Sequence, residues 1–280
     1  CCLGSINLLH WDEIKETDAI QTYVYFLNAV MDEFIIKAET MPGMKRAFNF
    51  AEKHRAIGLG VLGYHSLFQS KLIEFESLEA KQLNSEIFRT LKDRSEIASR
   101  KLHGAWGYRS LREGYANTTL MAIAPTKSSS FIHGAVSMGI EPIKSNYFIK
   151  DLAKSKTVYK NPFLEAELDK YDLNTDKTWK SILKKDGSVQ HLNFPTKAVF
   201  KSFVEITPKE LVLQAAQRQK YIDQSQSLNL MIDPSVSAKQ INQLYLYAWE
   251  EGVKTLYYQF SKSSAQDFAR NILECSSCEG

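Results

Sequence analysis

Apolar positions in the first third of the chain recur mainly at the three-to-four-residue spacing of a helix buried along one side. From Asp18 to about Ala38 they fall at Ile20, Val24, Leu27, Ala29, Val30 and Phe34, which predicts one helix with these side chains inward. Met41-Pro42-Gly43 breaks the chain, and a second helical stretch runs from Arg46 to His54. A long amphipathic helix is expected from Ser77 to about Leu102, with Leu83, Ile87, Leu91 and Ile97 facing the core. Two other segments lack that period. Cys2 to Leu9 is apolar and short, as a buried strand is. Ile57-Gly58-Leu59-Gly60-Val61-Leu62-Gly63 carries three glycines that permit very close backbone packing, and leads into a short helix, Tyr64 to Gln69.

Further along, Thr118 to Ala124 reads as a buried strand ended by Pro125, with a helix starting at Phe131. The stretch from Lys144 to about Pro195 is polar, lysine-rich and weakly periodic, and is expected to form surface excursions. Thr207-Pro208-Lys209-Glu210 opens a helix running to about Tyr221, with Thr207 at the N-cap, Pro208 in the first turn and Glu210 at the capping-box position. Ser227 to Ile232 is a strand, Ser237 to Glu251 a helix capped by Ser237, and Val253 to Phe260 a strand. This strand–helix–strand alternation argues for parallel α/β packing. After Phe260 the chain turns polar, and a mobile tail is expected.

A chain of 280 residues can bury a sizeable core in one large or two smaller domains. The net charge of +3 is spread along it, which points to neither nucleic acid nor membrane as a partner. No apolar run approaches the roughly 18–20 residues of a membrane span, and no signal-like segment opens the chain, so the expected location is the cytoplasm (the host's, if a phage carries the gene). The chain opens Cys1-Cys2 rather than with methionine. A missing upstream part is therefore expected, through a cloning boundary, a proteolytic cut, a splice junction or intein excision. The four cysteines sit at the extremes, Cys1 and Cys2 against Cys275 and Cys278. That placement suits redox exchange or metal binding better than a secreted disulfide framework, with incidental thiols as the plain alternative.

Three constellations carry candidate chemistry. In Asn117 to Ser130 a buried strand runs into a hydroxyl-rich turn before a helix, which suits phosphate through exposed N–H groups and hydroxyls; Lys127 adds charge. A helix cap with spare serines is the alternative. In Gly252 to Gln259, Tyr257 and Tyr258 are adjacent, and on a strand such neighbours face opposite sides, one to the core and one outward. They read equally as ordinary β-forming aromatics. Cys275-Ser276-Ser277-Cys278 can form and exchange a disulfide; half a zinc site is the weaker reading, since Cys1 and Cys2 as neighbours make poor co-ligands.

Together, and in this order, these segments resemble the large, catalytic subunit of class I ribonucleotide reductases, in its C-terminal part. The matching stretches are Cys1 to Leu8, Ala56 to Val61, Thr118 to Ser130, Met138-Gly139-Ile140-Glu141-Pro142, Gln219 to Ser225, Gly252 to Gln259 and the final cysteine pair. The resemblance implies an α/β fold: the C-terminal half of a ten-stranded α/β barrel over residues 1–260, followed by a flexible redox-active tail over 261–280. It implies reduction of ribonucleoside diphosphates to 2′-deoxyribonucleoside diphosphates by a radical mechanism. In it Cys1 resembles a barrel cysteine that reduces substrate and becomes part of a disulfide, while Cys2 falls where the family needs no thiol. Pro125, Thr126, Lys127, Ser128 and Ser129 resemble the turn that holds the substrate diphosphate, although the family varies at Lys127. Tyr257 and Tyr258 resemble the pair that passes a radical inward. Cys275 and Cys278 resemble the tail dithiol that reduces the barrel disulfide and is reduced by thioredoxin or glutaredoxin.

Upstream of Cys1 the family carries the thiyl-radical cysteine, an asparagine and a glutamate, the second barrel cysteine, and the sites for nucleotide effectors. The resemblance therefore implies an obligate complex with an N-terminal half of a split large subunit, without which the chain is inactive. It implies no cofactor or metal bound by this chain, and a metal-radical cofactor in the small subunit. A non-catalytic diphosphate-binding or scaffold fragment of the same fold is the main rival. A glycyl-radical relative would need a glycine-radical loop near the C-terminus. A thioredoxin-like enzyme would place C-x-x-C at the start of a helix, not at the chain's end.

Overall fold

The computed structural model describes residues 2–152 and 155–261. Strand β1 (Cys2–Asn7) is followed by the short helix α1 (Trp11–Ile14), then α2 (Ala19–Thr40) and α3 (Lys45–His54), and the chain returns as β2 (Ile57–Leu62). β1 and β2 pair in parallel, Cys2 opposite Ile57 and Asn7 opposite Leu62. The glycine run is thus a strand, and all six of its residues are buried. Helix α2 buries Ile20, Val24, Leu27, Met31 and Ala38, a narrower stripe than the sequence predicts. Val30 and Phe34 lie on its exposed side, as does Ile97 on α5 (Leu78–Trp106), which follows α4 (Tyr64–Ser70). Both helices pack through a strip about one side chain wide, so apolar positions beside the strip stay outside it. The hydroxyl of Ser77 accepts from the Ala80 N–H to start α5, and Gly107 ends it in the left-handed region at φ 76°.

The segment 119–123 runs beside β2 without a regular ladder. Leu59 N–H donates to Leu120 O at 2.7 Å, Ala122 N–H donates to Leu59 O at 3.0 Å, and Leu59 and Met121 form a parallel bridge. Two glycines make this approach possible: a Cβ on Gly60 would stand 2.4 Å from the Ala122 carbonyl oxygen, and one on Gly58 2.8 Å from the Ala122 Cβ. The start of the segment is held by a buried polar cluster. Asn117 donates to Arg55 O at 3.0 Å and to Asn28 Oδ1 at 3.2 Å, while Arg55 pairs with Asp32 at 2.5 Å and stacks on Tyr108. The segment ends in α6 (Lys127–Ile132), which begins four residues before the expected Phe131.

The polar stretch after Lys144 is not a set of surface excursions. It forms a lobe with its own apolar centre: the antiparallel hairpin β3 (Tyr147–Leu152) and β4 (Ser155–Lys160), then α7 (Pro162–Asp169) and α8 (Asp176–Lys184). Leu164, Leu168, Trp179, Ile182, Val189, Phe194, Val199 and Phe200 pack together there. Helices of eight and nine residues give a periodic pattern too few turns to register, and the lysines between them cover it. Asn161 caps α7 ahead of Pro162, and its amide also donates to Gln69 Oε1, tying the lobe to α4.

Helix α9 (Pro208–Gln219) begins at Thr207, but this residue makes no capping bond. Its N–H and hydroxyl donate to Glu76, and Glu210 pairs with Lys81 and accepts from Gln214 rather than closing a capping box. The cap expected at Ser237 is present, and it forms a full capping box with Gln240 at the start of α10 (Ala238–Glu250). Between these helices Ile123 bridges in parallel to Gln226, and beyond it β5 (Leu230–Met231) pairs in parallel with β6 (Gln259–Phe260). Only the last two residues of the expected Val253–Phe260 strand join a ladder, although Tyr257 N–H already donates to Leu228 O at 2.9 Å. Five parallel segments therefore stand side by side in chain order, as the second half of an α/β barrel requires, and all their carboxyl ends share one edge.

Replacing Gly60 with Ala forces a methyl onto backbone and should destabilise the chain by about 2 kcal/mol. Gly104, exposed in α5 with open space around it, provides the contrast: Gly104→Ala should stabilise by up to about 1 kcal/mol. Urea unfolding of both variants checks the pair. His65, fully buried in α4, accepts at Nδ1 from the Ile143 N–H, and burial lowers its pKa from 6.5 to about 3. Its neutral form is the folded one, so this contribution is complete above pH 6.5 and is lost as pH falls towards 3. In that window the wild type should lose up to about 1.4 kcal/mol per pH unit from this one proton. His65→Gln should flatten the slope of unfolding free energy against pH by that amount.

Candidate active site at the carboxyl ends of the strands

At the end of segment 119–123 the chain turns through Pro125 and Thr126 into α6. Thr126 sits in the left-handed region at φ 47°, unusual for a β-branched residue, and the surroundings hold it there. Its Oγ1 accepts from the buried Gly139 N–H at 2.7 Å and meets Ser130 Oγ at 2.9 Å. Gly139 itself has φ 52°, and a Cβ there would lie 2.9 Å from Ala124 O. One step back, the Ser137 hydroxyl accepts from the His65 and Ser66 N–H groups, and the Gly63 N–H donates to Ser137 O. The turn is thus braced from behind by the 137–139 loop. On its open side Lys127, Ser128 and Ser129 are exposed, and the N–H groups of a first helical turn have no acceptor within the helix. Such a surface offers main-chain donors, two serine hydroxyls and one ammonium to an anion.

The tyrosines come to the same edge through register. Gln226 stands opposite Ile123, and Tyr257 bonds two residues further up, at Leu228. That raises Tyr257 and Tyr258 to the level of the Pro125–Thr126 turn. The expected alternation, one ring inward and one outward, does not hold: both are half-exposed, with ring centroids 4.1 Å apart and planes inclined at 51°. They precede the paired residues of β6, where pleating would have separated them. Hydrogen bonding to the Tyr258 hydroxyl holds the Tyr257 phenol above its ordinary pKa. The Lys127 ammonium lies 5.4 Å from the centre of the Tyr258 ring, joining turn and pair.

Two residues without a role in the sequence reading complete this edge. Glu141 is buried, and the Asn229 amide donates to its carboxylate; the Asn229 oxygen accepts from the Tyr258 N–H at 2.9 Å. Burial raises the Glu141 pKa, against the opposing effect of the Asn229 bond and of Lys144 and Lys127. Glu141 lay inside a stretch singled out for its order along the chain, but nothing in the local pattern distinguishes a buried carboxylate from a surface one.

Cys2 is half-buried, its thiol donates to Leu27 O at 3.3 Å, and burial raises its pKa, the environment of an unreactive thiol. Cys1, Cys275 and Cys278 lie outside the described residues. Among the described residues no group of three or more His, Cys, Asp or Glu side chains is placed to hold a metal ion, and no helix is long and apolar enough to cross a membrane.

The model of the ribonucleotide reductase barrel domain matches residues 1–108 and 106–259, and the chain belongs to that family. It is 40% identical over 276 residues to the ribonucleoside-diphosphate reductase large subunit of Invertebrate iridescent virus 6, covering 95% of this chain and 28% of the viral protein. The corresponding subunit of Invertebrate iridescent virus 3 is 38% identical, with coverages of 92% and 42%. Among solved structures, the class Id ribonucleotide reductase alpha subunit of Actinobacillus ureae superposes with a TM-score of 0.89 at 50% identity, over 95% of this chain and 50% of that one. The chain thus spans half or less of the length of these relatives.

Thr126→Ala removes the acceptor of a buried N–H and should cost about 1–2 kcal/mol. Thr126→Ser keeps the hydroxyl and sheds the β-branch, and should stay within about 0.5 kcal/mol of the wild type. Unfolding curves of the two variants decide whether the hydroxyl holds the turn.

Proposed function

We propose that the chain is a working part of a class I ribonucleoside-diphosphate reductase large subunit, which converts ribonucleoside diphosphates to 2′-deoxyribonucleoside diphosphates by a radical route. The observation that carries this reading is the meeting of a braced, donor-rich turn and a close, tilted tyrosine pair at one edge of the sheet, joined by Lys127 over Tyr258. Pro125 to Ser129 hold the substrate diphosphate through main-chain N–H groups and hydroxyls, with Lys127 balancing its charge. Tyr257 and Tyr258 relay the radical from the small subunit, which carries the metal-radical cofactor. Two phenols at 4.1 Å suit such a relay, since each can give up an electron and a proton together. Cys1 is one of two cysteines that reduce the substrate and are oxidised to a disulfide. Cys275 and Cys278 reduce that disulfide by exchange, and thioredoxin or glutaredoxin restores them. The thiyl-radical cysteine, its asparagine and glutamate, and the effector sites are supplied by the N-terminal part of the large subunit, outside these 280 residues.

The test is reduction of a ribonucleoside diphosphate by this chain with the radical-bearing small subunit, thioredoxin and the N-terminal part of the large subunit. Turnover is expected only with all components together. Tyr258→Phe should abolish it while leaving diphosphate binding intact. Binding between the parts without turnover in any combination would instead support a non-catalytic scaffold.

A further inference from the structure

The Asn229 side chain has two different ends, and its neighbours demand a particular one at each side. Glu141 Oε1 takes the NH2 group, and the Tyr258 N–H meets the oxygen at 2.9 Å. A carboxylate only accepts hydrogen bonds, so an ionised Glu141 admits one orientation of the amide. Both residues are buried, Glu141 6% and Asn229 1% exposed, so water is not at hand to replace either partner. We propose that Glu141 is a positioning residue for the tyrosine pair: through Asn229 it fixes the main chain of Tyr258, and with it the contact between the Tyr258 and Tyr257 rings. Glu141 touches neither ring among the described contacts. Its two nearby ammonium groups lie over the aromatic residues of the same segment, Lys127 over Tyr258 and Lys144 at 4.2 Å over Phe260. One buried carboxyl group therefore lies near both ammonium groups that cover the neighbouring Tyr258 and Phe260 rings of this strand end. The purpose assigned to the device, aligning a radical relay, rests on the function proposed above; the device itself does not.

The test uses the full chain with 3-fluorotyrosine at position 257, read by fluorine NMR across a pH titration, together with hydrogen exchange of the Tyr258 amide. Glu141→Ala should speed that exchange roughly tenfold, and so should Asn229→Asp, because there two carboxylates face each other and their repulsion drives the acceptor away from the Tyr258 N–H. Each should also shift the residue 257 phenol titration downward, because the bond to Tyr258 that raises it is lost. The double variant Glu141→Gln with Asn229→Asp reverses donor and acceptor: the new amide donates to the new carboxylate, which still accepts from the Tyr258 N–H. It should restore both readings, an outcome that a purely structural role for Glu141 does not produce. Unchanged readings in the single variants, or a double variant as perturbed as they are, would overturn the proposal. If a single variant fails to fold, the double variant's fold and readings decide alone. Neither reading needs turnover. Failure of the reductase assay with these results intact would remove the radical role and leave the positioning role standing.

Discussion

The carbonyl oxygen of Ala122 lies 2.4 Å from where a Cβ on Gly60 would be. This close approach lets segment 119–123 run beside β2 even though only one bridge and a few backbone bonds hold them together. Moving that segment outward by the width of a methyl group would carry with it everything built on its end: the Pro125–Thr126 turn, the first turn of α6 and Lys127. It would also disturb the next neighbour, because Ile123 fixes the register of Gln226 and through it the height of Tyr257. The sheet is a train of contacts in which the tightest sets the position of the rest.

Between the strands, side chains do what a continuous ladder would otherwise do. Asp223 accepts the Leu120 and Met121 N–H groups at 2.7 and 2.9 Å, and the Gln224 amide donates to Ile57 O at 2.8 Å, reaching across segment 119–123 to β2. Behind them Arg218 is fully buried, with no carboxylate partner among the described residues. Its Nε donates to Gln226 Oε1 at 2.6 Å, Nη1 to Asn84 Oδ1 at 3.2 Å, and its guanidinium faces the rings of Tyr64 and Phe88. Burial lowers its pKa only to about 10, so the charge persists at neutral pH. A buried cation with neutral partners is expensive to form, but its planar set of donors admits few arrangements. Here that geometry aligns α9, α5 and the fourth parallel segment, and the stretch from Gln219 to Ser225 acquires a physical reason for its composition.

The lobe after Lys144 shows how a site can be braced from outside the sheet. Its apolar centre is separate from the main core, yet Phe203 N–H donates to Ile143 O at 2.7 Å and Asn161 reaches Gln69 on α4. These contacts hold the chain just after Glu141 and Pro142, so the loop behind the Pro125–Thr126 turn is fixed at both ends: by Ser137 to α4, and by Ile143 to His65 and to Phe203, where the chain re-enters the main core after the lobe.

Spacing along the chain determined the long helices, because α2 and α5 each repeat their apolar stripe over enough turns to define a period. It also determined the parallel character of the sheet, since strand-sized apolar runs alternate with helices, and the closeness of the glycine run, since only glycine admits a backbone at that distance. The turn from Pro125 to Ser129 and the tyrosine pair were legible as ordered motifs. Cys1, Cys275 and Cys278 belong to the same reading but lie outside the described residues. Local pattern said nothing of which motifs would meet. The lobe was hidden by short helices and intervening lysines, and the tyrosines' shared side by the assumption that pleating reached them. Only the tertiary structure decided that Lys127 lies over Tyr258 and that Glu141 and Asn229 support the same strand end. These contacts join residues at least 29 positions apart. Their geometry is fixed by strand register and burial, which belong to the whole fold and leave no periodic trace in any one segment.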